Sequence, residues 1–193
     1  MARLSRQRYD ACINGNCEVD SPVSALFNYF FELCLLRVKP QDLPASGALL
    51  GLVILANITV GVLAFSGLYG GVARALMAGV VESLFFLTAL GLLLYCKGLL
   101  SRFTQSATAL LGSSTLLAII LIPLYSMGGG AADHTAMAVV ADLGALLLLI
   151  WSLTIMGHIL RHTLEIPFGH GVLLGMIYFL LSSLFVGSLF PLS

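Results

Sequence analysis

A chain of 193 residues in which 59% are hydrophobic and only 9% charged, with a mean hydropathy of +1.03, lies far outside the composition of soluble domains. A water-soluble fold of this size has no means of covering so much apolar surface. Lipid is therefore the solvent the composition requires, crossed by helical runs of roughly 20 apolar residues that satisfy their own backbone hydrogen bonds. The formal net charge is zero, so nothing points to nucleic-acid binding or to a strongly polybasic lipid-binding tail.

Residues 1–20 are polar and aperiodic, the pattern of a flexible tail. Arg3, Arg6 and Arg8 are followed by no continuous apolar core, so no cleavable signal peptide is expected and the N-terminus should stay attached. Cys12 and Cys17 bracket an Asn-Gly turn and are spaced to share a metal or a redox bridge, although a lone pair lacks the second half of a zinc site. Cys34 and Cys96 read as apolar filler.

Ser21 is an expected N-cap, with Pro22 at the first helical position and a helix over 23–38 that is too short to span. Ser24, Asn28 and Glu32 fall four apart on one side, while Leu26, Phe27, Phe30, Phe31, Leu33, Cys34 and Leu35 cover much of the rest. This pattern suits a helix in the membrane interface, with Arg37 and Lys39 available to anionic headgroups. The competing reading is a helix packed on the cytoplasmic end of the bundle. Pro40 and Pro44 then make a rigid connector. The expected organisation is a tail over 1–20, an interfacial helix and connector over 21–46, and an all-α domain of five transmembrane helices over 47–193.

The five spans are expected at 47–68, 74–96, 107–127, 135–160 and 172–191, separated by segments containing glycine, charge or both. Short loops rich in Lys and Arg stay cytoplasmic. With the tail inside, Arg3, Arg6, Arg8, Arg37, Lys39, Lys97, Arg102 and Arg161 all fall on the cytoplasmic side, and only Arg74 falls outside. The C-terminus is then outside.

An ionisable side chain near mid-membrane costs roughly 2.5–3.5 kcal/mol on insertion scales, so it faces protein or water and needs a partner. Glu82 and Asp142 both lie about 10–12 Å below the outer helix ends at 1.5 Å per residue. They are spaced to face one another at matching depth, where mutual repulsion would favour a shared proton. Small neighbours (Ala75, Ala78 and Gly79; Ala138, Ala141 and Ala145) allow close helix approach and are expected to turn both acids inward. Asn57 is positioned to hydrogen-bond either acid, and Arg74 to snorkel towards Glu82. Two readings stand: structural glue between helices, or a proton- or cation-handling site.

Pro123 can kink the third span, Gly171 and Gly175 are expected to form a close-packing pair, and Trp151, too deep for an interface belt, to serve in packing. His158 and His162 are four apart, with Glu165 and His170 nearby, which is zinc-compatible spacing. Cationic groups at a helix C-terminus are the plainer reading. Phosphate-loop and nucleophile-elbow motifs are absent, so no enzyme and no cofactor are expected.

The segment LRVKPQDLPAS at 36–46, and the fourth span through Trp151, Ser152 and Leu153 to Arg161, carry a resemblance to bacterial members of the Yip-domain family, named for Ypt-interacting proteins. The DLYGP-type sequence of the eukaryotic members is missing. The resemblance implies a five-span domain of the bacterial inner membrane acting through protein or membrane partners, as a scaffold or accessory component or as a homo-oligomer, with no catalytic residues. A small transporter or channel component built on Asn57, Glu82 and Asp142 is the alternative, and a membrane enzyme using the histidines the third.

Overall fold

The computed structural model describes residues 22–38, 40–126 and 136–191. A short helix, α1 (Pro22–Cys34), precedes α2 (Gly47–Phe65), α3 (Val72–Cys96), α4 (Phe103–Ser126), α5 (Ala136–Leu164) and α6 (Phe168–Leu189). The last five are long and apolar enough to cross a bilayer, the shortest reaching about 28 Å at 1.5 Å per residue. No strand occurs among the described residues, and the chain is an all-α integral membrane protein. Cys12, Cys17, Ser21, Lys39 and the arginines of the tail lie outside the described residues.

Local chemistry moves several boundaries from their expected positions. α1 stops at Cys34 instead of Val38, because Leu36 takes a left-handed conformation (φ 61°) and the Arg37 N–H closes back on the Glu32 carbonyl at 3.0 Å. Ser46 caps α2 through its hydroxyl, and Gly70 and Gly71, both at positive φ, turn the chain into α3. α4 begins at Phe103, four residues earlier than hydropathy indicates, since Gln105 and Ser106 find partners inside the fold. α5 runs on through Arg161, His162 and Thr163 until Glu165 (φ 57°) and Pro167 end it. α4 continues through Pro123 to Ser126.

α4 occupies the centre. Every residue from Ser106 to Ser113 is buried, and most are small, so α1, α2 and α5 can all close on this segment. In lipid no hydrophobic force draws apolar helices together, and close approach of backbones takes its place. The hydroxyls of Thr108, Ser113, Ser114 and Thr115 return to carbonyls one turn back on α4, which lets small polar residues line a lipid-embedded helix at little cost. α3 packs on α2, and α5 pairs with α6.

The α5–α6 pairing depends on glycine. A Cβ on Gly171 would lie 2.6 Å from the Gly157 carbonyl oxygen, and a Cβ on Gly157 would collide with Val172. The pair expected at Gly171 and Gly175 is thus a close-packing surface, completed by Gly157. Trp151 differs from expectation: it is 43% exposed on the outer face of α5, beside Leu147 and Ile150.

α1 combines features of both readings made for it. Phe30, Leu33 and Cys34 are buried against the bundle, with the Phe30 ring filling the space left by Gly112. Phe27 and Phe31 remain more than half exposed, and Asn28 and Glu32 are exposed as well. The connector is tied down at several points: Gln105 donates to the Leu43 carbonyl at 2.8 Å, Gln41 to the His162 carbonyl at 3.1 Å, and Leu43 is buried.

Candidate functional site

Asn57 projects from α2 onto α4. Its amide nitrogen donates to Ser114 Oγ at 3.0 Å and Thr115 Oγ1 at 3.1 Å, with the Leu111 carbonyl at 3.5 Å. This polar clasp joins two spans and involves neither acid. Arg74 likewise turns away from Glu82, donating to the Pro191 carbonyl at 3.3 Å.

Of the small residues expected beside the acids, Ala75, Ala78, Ala138 and Ala141 are each at most 4% exposed, while Gly79 and Ala145 are only partly buried. Glu82 and Asp142 themselves lie on accessible surface. Helix packing does not bring them together, because α3 lies against α2 and α5 against α6 and α4, with no extended α3–α5 contact among the described residues.

Around Glu82 the surroundings are specific. Phe85 and Phe86 follow three and four residues later on the same helix face. Phe85 stacks on Phe185 (ring centroids 5.1 Å) and on Tyr178 (6.0 Å), and Phe86 meets Tyr178 edge-on at 5.5 Å. The charge of Glu82 reaches the phenols of both Tyr178 and Tyr69. Tyr69, in the turn between α2 and α3, is pushed above the ordinary phenol value first by burial and then by Glu82.

Beneath this aromatic cluster α3 and α6 part. The cleft between them holds about 260 Å³, walled by Leu90 and Leu93 of α3 and Leu174 and Ile177 of α6, with Leu110, Met156 and Leu160 at its base. Tyr178 brings the one phenol to an otherwise apolar lining. The cluster has a sequence signal that hydropathy alone overlooks: paired phenylalanines one turn after an intramembrane acid, and aromatic residues at 178 and 185, two turns apart.

At the opposite end of the bundle, His158 and His162 stack edge to face at 4.7 Å between centroids. His158 Nε2 lies 3.3 Å from the Val38 carbonyl oxygen, to which it donates when that nitrogen carries the proton. Glu165 turns to Arg102 instead, in an ion pair of 2.8 Å, while Arg102 also donates to the Thr163 carbonyl. No group of three or more His, Cys, Asp or Glu side chains suited to a metal gathers among the described residues. These contacts bind the connector and the α3–α4 and α5–α6 turns into one surface.

Fold and site together define a helical integral membrane protein of five candidate spans with an additional docked helix. No family model, curated protein or solved structure matches the chain.

Proposed function

We propose that the protein is a non-enzymatic accessory or scaffold component of a bacterial inner membrane, of the Yip-like five-span type, oriented with its basic end in the cytoplasm. The observation that carries this reading is the two-sided docking of α1. One face is anchored by Phe30, Leu33 and Cys34, while Phe27 and Phe31 are left uncovered on the other. A helix held by the bundle and still presenting aromatic side chains is a preorganised surface for the apolar face of a membrane-protein partner. Arg37, Lys97, Arg102 and Arg161 supply the basic residues expected of the cytoplasmic side.

A photoreactive residue placed at Phe27 or Phe31 tests this in native membranes. A discrete protein adduct, absent when the label is moved to Leu63 of α2, is the expected outcome. Labelling of lipid alone would overturn the reading. A transporter role centred on a Glu82–Asp142 pair receives less support, because Asn57 and Arg74 are both engaged elsewhere.

A further inference from the structure

We propose that the cleft between α3 and α6, with Glu82 above it, is a binding site for amphiphilic organic cations that carry a single apolar chain. Three observations converge on that chemistry. The cleft is a narrow apolar slot in a helix pair that meets only lightly, so it admits an alkyl chain from the surrounding lipid. Its upper end is bordered by Phe85, Phe86 and Tyr178, with Phe185 stacked on Phe85, and aromatic rings attract quaternary and protonated amines.

One turn above the cluster stands an accessible carboxylate. Among the described residues Glu82 has no cationic partner and no hydrogen bond, and Arg74 on the same helix is committed to the Pro191 carbonyl. A carboxyl inside the membrane is relieved either by a proton or by a positive partner, and a cationic head supplies the partner where an anionic or neutral amphiphile supplies none. The ligand enters sideways, its chain directed down the cleft towards Leu174 and Leu160 and its cationic head held between Glu82 and the aromatic rings.

The site is independent of the α1 surface, so partner capture and cation binding can fail separately. The test uses the full chain purified in a non-ionic detergent and radiolabelled dodecyltrimethylammonium, with dodecanol and dodecyl sulfate as neutral and anionic competitors. Saturable binding displaced by unlabelled cation but by neither competitor is expected. Glu82→Gln, nearly equal in volume, should weaken binding by at least about tenfold, the size of one interaction with a charged group. Leu174→Trp, which fills the slot, should abolish it while the protein still elutes as a folded species. Equal displacement by dodecanol would reduce the cleft to a lipid-tail slot and overturn the role of the carboxylate, a result read on the unmodified protein. Unchanged binding in either folded variant, or no saturable binding at all, would also overturn the proposal.

Discussion

Alanine at Gly112 would put a Cβ inside the space now filled by the Phe30 ring, and the two cannot coexist without displacing α1. Overpacking of this kind costs about 1–3 kcal/mol. The cost falls on the weaker contact, the docked helix, so the bundle should survive. Cys34 reports the change: it is buried on α1, and burial pushes its thiol up to about 11. In a variant lacking the other cysteines, Cys34 should react slowly with maleimide at pH 8, and Gly112→Ala should speed the reaction at least several-fold. The thiol form is the one the fold retains, so its contribution to stability is complete below the ordinary thiol range and is lost as the pH rises towards 11. Asn57→Leu should destabilise the bundle by about 0.6–2 kcal/mol, the range for intramembrane hydrogen bonds, read from reversible unfolding in mixed micelles. No effect would mean that the Asn57 clasp to Ser114 and Thr115 is replaced by equally good packing.

Among elements, the α5–α6 pair makes the sharpest prediction, because its glycines meet different obstacles. Alanine at Gly171 meets the Gly157 backbone oxygen, which cannot rotate away, whereas alanine at Gly175 meets the flexible side chain of Met156 at 3.2 Å. Gly171→Ala should therefore cost about 1–3 kcal/mol and Gly175→Ala clearly less, as measured in the same unfolding assay. Reversal of that order would exclude the close crossing. The lightly crossing helices α3 and α6 leave the cleft under Glu82, and α4 is central because its first half is built from alanine, serine, threonine and glycine among a few leucines. Packing order in this molecule follows side-chain size more closely than hydropathy.

For the whole molecule, the basic residues at one end predict that a reporter fused after Ser193 behaves as extracytoplasmic and one inserted at Lys97 as cytoplasmic. The opposite pattern would invert the proposed orientation and with it the side on which the exposed face of α1 lies. The Arg102–Glu165 pair at this end, part-buried on its arginine side and exposed on its carboxylate side, is not a major source of stability. With Glu165 68% exposed, Glu165→Gln should change unfolding free energy by less than about 1 kcal/mol.

Much of the architecture is legible in the sequence. Five apolar runs became five helices beginning or ending within four residues of expectation, and the Gly171–Gly175 surface and the buried alanines beside both acids were readable from helical spacing. The errors were of one kind. Glu82 and Asp142 are expected from spacing to turn inward and meet, Asn57 to bond an acid, and Trp151 to serve in packing, and each depends on which helix lies opposite which.

What the sequence determined alone was the existence, length and number of the spans, because a bilayer tests each segment separately for apolar length and satisfied backbone. It also determined which positions were small enough for close approach. Only the tertiary structure decided that α4 is central, that Asn57 bonds α4, that α1 docks by Phe30 into the space at Gly112, and that an aromatic cleft opens below Glu82. In lipid one apolar face is as good as another, so hydropathy records that a helix must be covered and carries no record of the neighbour that covers it.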